Sequence, residues 1–262
     1  MIDAGRSSQS TARRSSRQDR GRSDAAQRPT IGVVLPSSNR TVERVAHAIR
    51  QDRPELDICM TRVPYDGHPS DGYELDSFRR ATRLLSDSRP DVILWNATRG
   101  ALLGFEPDRA LCRMIEEIAG VPATTTALAT LQVLKASGIR RIALIAQGGL
   151  DDCKRLAGTF GDEGIAIIAS VALGISDNFD AAAVTDDDLI AAAGDLCARA
   201  EPEGLLIWST NLGGHALSRR CAGLGVPVFD STTIGFDVAL GLLDDPPRNK
   251  PPDAALSPAS PR

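Results

Sequence analysis

The sequence predicts an α/β fold of parallel strands covered by helices, arranged as two related halves. Short apolar runs of β type alternate along the chain with stretches of helical period and length. Two of the runs, "VILW" at 92–95 and "LLIW" at 205–208, are apolar on both faces, as strands held between two helix layers must be. Three segments also recur in order at offsets of about 105 to 112 residues. "IGVVLPSSN" (31–39) returns as "IALIAQGG" (142–149), "PDVILWNATRG" (90–100) as "PEGLLIWSTNLGG" (202–214), and "GVPATTTALATL" (120–131) as "GVPVFDSTTIGFDVAL" (225–240).

Taken in order, the strands are expected at Ile31–Leu35, Asp57–Val63, Val92–Trp95, Arg141–Ala146, Ile165–Val171, Leu205–Trp208 and Val226–Phe229. Between them, "TVERVAHAIRQ" places Val42, Val45, Ala46 and Ile49 on one helical face. "TALATLQVLKASG" does the same with Leu128, Leu131, Val133 and Leu134 before a stop at Gly138. The alternation by itself is compatible with two sheets or with one doubly wound sheet. The duplication divides the chain into halves at 30–135 and 136–243.

The flanks differ from this body. Residues 1–29 are an Arg/Ser-rich segment with almost nothing large and apolar, expected to be disordered because it cannot bury enough surface to offset its chain entropy. Residues 244–262 hold six prolines and read the same way. The chain's net charge is −4, but its first 28 residues carry seven arginines against three aspartates, which leaves −8 on the rest. So acidic a body is a poor general nucleic-acid binder, and no nucleic-acid partner is expected. Apolar runs stop at strand length, well below the ~20 residues of a membrane helix. No secretory signal pattern opens the chain, so it is expected to be cytoplasmic, with no membrane partner. Five scattered cysteines form no CxxC or Cys/His spacing, so neither a structural disulfide nor a metal is expected. Glycine-rich nucleotide fingerprints are missing too.

The polar residues cluster where strands end. Ser37, Ser38, Asn39, Thr98, Thr210 and Asn211 all stand at strand–helix junctions, where hydroxyls, amides and free backbone N–H groups attract anions. Each could serve only as a helix N-cap. Because ligands of open α/β sheets bind at the carboxyl ends of strands, two facing halves would bring these turns to one interdomain cleft fitted to a small carboxylate.

"VVLPSSNRTVE", "DVILWNATRGA", "GVPATTTALATLQVLKASGIRRIALIA", "LGISDNF" and "LLIWSTNLGG" together resemble the Asp/Glu racemase superfamily, in its branch of maleate cis–trans isomerases and arylmalonate decarboxylases. The likeness runs over about residues 30 to 243. It implies two pseudosymmetric Rossmann-like domains with the site between them, no cofactor, no metal, and a small dicarboxylate or 2-substituted acid as substrate. It also implies one cysteine at each repeat-related turn, the decarboxylases retaining only the second. Here Ala97 stands at the first position and Ser209 at the second. A tyrosine of the isomerases is replaced in "AQGGLDD" by Gly148 and Gly149, whereas Asn39 and Asn178 match substrate-contacting asparagines.

Without thiols, two-base racemisation by the family route is not expected. Ser209 is the residual proton donor, with Arg99 or His215 assisting. Arg99 could clamp a carboxylate bidentately or turn outward to pair with Glu106. His215, six residues beyond Ser209, is chemically apt as a general acid or base and equally suits a helix cap. His47 and His68 have no support beyond residue type. Trp95 and Trp208 suit core positions or cleft walls, and Cys153 is the one cysteine placed for reactivity. The substrate-binding set is therefore Ser38, Asn39, Thr98, Arg99, Asn178, Thr210 and Asn211. The activity expected is cofactor-independent proton transfer, isomerisation or decarboxylation of a small carboxylate. The alternative is a catalytically inactive carboxylate-binding protein on the same fold. Whether the chain forms a homo-oligomer is left open.

Overall fold

A computed structural model describes residues 28–244, except the side chains of Ser218, Arg219 and Ala222. The two segments expected to be disordered lie outside these residues, apart from Arg28, Pro29 and Asp244.

The first half runs β1 (Thr30–Pro36), α1 (Thr41–Asp52), β2 (Asp57–Val63), α2 (Leu75–Ser86), β3 (Val92–Trp95), α3 (Arg99–Leu102), α4 (Glu106–Ala119), β4 (Ala123–Thr125) and α5 (Thr126–Ala136). The second repeats the plan with β5 (Arg141–Ala146), α6 (Leu150–Asp162), β6 (Ala166–Ala172), α7 (Asn178–Ala181), α8 (Asp186–Ala200), β7 (Gly204–Trp208), α9 (Leu217–Arg220), β8 (Val228–Asp230) and α10 (Ser231–Asp244). A short 3₁₀ turn, Gly214–Ala216, precedes α9. The strands form two separate four-stranded parallel sheets, ordered β2-β1-β3-β4 and β6-β5-β7-β8.

Register makes the duplication concrete. Ile31 pairs with Val92 as Ile142 pairs with Gly204, and Trp95 with Thr125 as Ile207 with Asp230. Ala97 and Ser209, each two residues past an equivalent pair, therefore occupy the same place in the two halves. Trp95 and Trp208 do not. Trp95 joins Tyr73 and Phe78 on one face of its sheet, whereas Trp208 packs edge-on against Phe160 on the face that meets α5 and α6.

Strand β4 escaped the periodicity analysis because three residues, "ATT", are too few to show a period. Helix α1 buries the predicted face, Val42, Val45, Ala46 and Ile49. Helix α5 departs from its predicted single stripe. It buries Ala127, Ala129, Thr130, Leu131 and Leu134, while Leu128 and Val133 are only half-buried. The cause is its environment on two sides: α5 packs against the second sheet and against α10. Reciprocally, Phe236 and Ala239 of α10 enter the core formed by β1, β3 and α1. The last helix of each half thus covers the sheet of the other, and this exchange holds the strand ends of the two halves face to face.

Two buried carboxyls lie beneath the turns. Asp108 accepts from the Tyr73 hydroxyl at 2.9 Å and presses on Gly100, whereas Asp230 accepts from the Thr233 N–H at 2.9 Å and presses on Gly214. Each leaves one carboxylate oxygen without a partner among the described residues, and burial pushes both carboxyls up to about 6. A raised carboxyl binds its proton more tightly in the folded state than in the unfolded chain. That contribution is complete below the unfolded value near 3.8 and is lost as pH rises through about 6. Asp230→Asn, which cannot ionise, is expected to gain about 2–3 kcal/mol on the natural protein between pH 4 and pH 7. Urea denaturation at the two pH values reads the difference, and a pH-independent difference would show that this carboxyl is not raised.

Candidate active site

A cleft of about 420 Å³ opens between the halves at the carboxyl ends of their strands. Both repeat-related turns line it: Ala97, Thr98 and Arg99 after β3, and Ser209, Thr210 and Asn211 after β7. Trp95 and Trp208 are buried core residues that also form cleft wall.

A hydrogen-bonded chain crosses the site. Ser209 Oγ donates to Gln147 Oε1 at 2.5 Å, Gln147 Nε2 donates to Asn178 Oδ1 at 3.0 Å, and Asn178 Nδ2 donates to Ser38 Oγ at 2.7 Å. Ser209 Oγ also accepts from the Asn211 N–H at 3.0 Å, which fixes its turn. Every member is neutral, so the chain orients Ser209 without supplying a base.

Asn39 has a different task from the one its sequence match implies. Its Oδ1 accepts from the Thr41 and Val42 N–H groups, capping α1, and its Nδ2 donates to Thr210 O and Oγ1, both at 3.0 Å. Fully buried and absent from the cleft lining, it braces one half against the other. Ser38 likewise stands behind Asn178 and does not line the cleft.

Arg99 does not turn outward to Glu106. Its Nη2 donates to Pro69 O at 2.6 Å and its Nε to Gly72 O at 3.4 Å, so it pins the loop 64–74 across the cleft mouth. Glu106 pairs instead with Arg109 and Arg113. The pinned loop brings in Tyr65 and Asp66, which sequence reasoning passed over, and His68, which it named with no support beyond residue type. Burial, then the Arg99 charge, lowers the His68 pKa, and its Nδ1 accepts from the Glu74 N–H at 3.2 Å. His68 is thereby held neutral as part of the wall. Gln147 and Asp152 were missed as well: Gln147 offered only the signal of a polar residue just past β5, and Asp152 that of an acid in the first turn of α6.

His215 must be withdrawn from the catalytic set. It does not line the cleft, and its Nδ1 lies 2.9 Å from Thr233 Oγ1, which itself donates to Asp230 Oδ2 at 2.7 Å. Because that hydroxyl is committed as a donor to the aspartate, it accepts from the His215 ring. Cys153 is also no reactive thiol: it is buried in the core, and burial raises its pKa.

Residues 75–252 match the family model described as arylmalonate decarboxylase, which is more than half of the chain. The chain belongs to the arylmalonate decarboxylase family. It is 28% identical over 239 residues to the arylmalonate decarboxylase of Bordetella bronchiseptica, covering 86% of this chain and 95% of that one. The solved structure of unliganded arylmalonate decarboxylase superposes with a TM-score of 0.70 at 25% identity, over 86% of this chain and 96% of that one. The maleate isomerase of Pseudomonas putida S16 shares the fold, with a TM-score of 0.71 at 20% identity over 82% and 93% of the two chains. The family therefore sits in the predicted branch of the Asp/Glu racemase superfamily. Its two-sheet, pseudosymmetric fold is the one the resemblance implies. No helix among the described residues is long and apolar enough to cross a membrane.

Proposed function

We propose that the chain takes a small carboxylic acid into this cleft and removes a carboxyl group from it, Ser209 delivering the proton that replaces the lost carbon dioxide. The Ser209 hydroxyl carries the reading: it lines the cleft, it is oriented by Gln147 and Asn211, and no base among the described residues touches it. Racemisation or isomerisation through thiols needs a base or a thiolate at one of the turns, and neither Ala97 nor Ser209 supplies one. Decarboxylation asks less. The bond from the α-carbon to the leaving carboxylate breaks heterolytically, and its electron pair spreads into the acyl group that stays. The Ser209 O–H then protonates that carbon, and the alkoxide, a weaker base than the carbanion, recovers its proton from water. The hydroxyls of Thr98 and Thr210 and the Arg99 cation line the same cleft and favour an anionic ligand.

Incubation with a panel of 2-substituted malonates in deuterated water, followed by proton NMR, tests this. The expected result is loss of carbon dioxide with one deuterium placed at C2. Saturable binding of these acids without any change to them would instead identify a carboxylate-binding protein, and the decarboxylase reading would fall.

A further inference from the structure

On the reading that the cleft takes a carboxylate, we propose that Asp152 sets its specificity by receiving an ammonium group of the ligand, so that the acid bound is amine-bearing rather than a plain dicarboxylate. Three observations converge. Asp152, in the first turn of α6, lines the cleft from the second half, and no hydrogen bond or ion pair joins its carboxylate to any described residue. Its carboxylate lies against residue 148, where glycine leaves room for it: a Cβ there would collide with Asp152 Oδ2. Asn211, 4% exposed and in the same lining, leaves its Oδ1 as a second acceptor with no donor. A buried acceptor without a donor is unfavourable until one arrives, and a carboxylate or a methyl group brings none.

The charges are divided to match. Arg99, from the first half, is the cation of the cleft wall; its hydrogen bonds go to carbonyls, and no carboxylate among the described residues neutralises it. His68 adds no positive charge, because burial lowers its pKa. Asp66, on the loop 64–74, is exposed and stands at the rim. A ligand that turns a carboxylate to Arg99 and an ammonium to Asp152, as a 2-amino-substituted malonate can while keeping a second carboxylate to lose, satisfies both walls. A second carboxylate directed at Asp152 would be repelled.

The test uses 2-phenylglycine and 2-phenylpropanoate, which differ only in an ammonium or a methyl group on the same carbon, so that shape and carboxylate are held constant. With the full chain, calorimetry is expected to give 2-phenylglycine at least about tenfold tighter binding. In Asp152→Asn the ratio should fall toward one. Gly148→Ala, which pushes the carboxylate off the wall, should reduce it too, and either variant suffices if the other does not fold. Equal affinities in the natural protein, or a preference that survives Asp152→Asn, would overturn the role of Asp152 and leave the carboxylate site intact. Failure of both acids to bind would remove the carboxylate reading along with it.

Discussion

Ser209→Ala is expected to lower decarboxylation at least about a hundredfold while carboxylate binding changes little. The hydroxyl lines the cleft and is oriented through Gln147, Asn178 and Ser38. Alanine removes the transferable proton and leaves Thr210 and Asn211 in place. A fall in kcat with KM nearly constant is therefore the signature of a donor. Ser209→Cys adds a sharper comparison. A thiol returns a more acidic donor to the turn, so this variant is expected to exceed the natural protein in rate. Full activity in Ser209→Ala would mean that the proton comes from elsewhere, and an unchanged rate in Ser209→Cys would mean that protonation does not limit turnover.

Gly100→Ala is expected to destabilise the protein by about 2–3 kcal/mol and to weaken ligand binding at the same time. Helix α3 lies directly on the carboxyl of Asp108, and a Cβ at residue 100 would overlap both of its oxygens and the carbon between them. Asp108 cannot retreat: it is fully buried, held by Tyr73, whose hydroxyl in turn accepts from Trp95 Nε1 at 3.3 Å. The strain must pass instead into the turn that carries Ala97, Thr98 and Arg99. Gly149→Ala is the control, because no described residue has an atom within 4 Å of its added methyl. Urea denaturation and ligand titration of the two variants side by side separate collision from mere loss of glycine. Equal behaviour would show that α3 does not rest on Asp108.

Much of this architecture was legible in the chain. Val42, Val45, Ala46 and Ile49 repeat at helical spacing, and their burial follows from that spacing alone. "VILW" and "LLIW" advertise strands covered on both faces, and the recurrence of "GVP" before the last strand of each half reports the duplication. The site was legible only in part. Thr98, Arg99, Ser209, Thr210 and Asn211 follow strands whose ends had to meet a ligand, and all of them line the cleft. Asn39 and Ser38 follow a strand in the same way, yet they face other protein groups. No local signal separates the two cases, because Asn39 finds its partner 171 residues away in Thr210.

By itself, then, the sequence determined what depends on near neighbours: which segments become strands or helices, where each apolar face points, and that one half repeats the other. These follow from backbone period and side-chain type within a few residues. The tertiary structure alone decided which polar groups face the ligand. Exchange of α5 and α10 fixes how the two sheets confront each other. That placement consumes Asn39 as a brace, turns His215 toward Thr233, and brings Gln147 and Asp152 to the wall. A turn residue can cap, brace or bind with the same few donors and acceptors, and its choice is settled by whatever stands opposite it after the halves have docked.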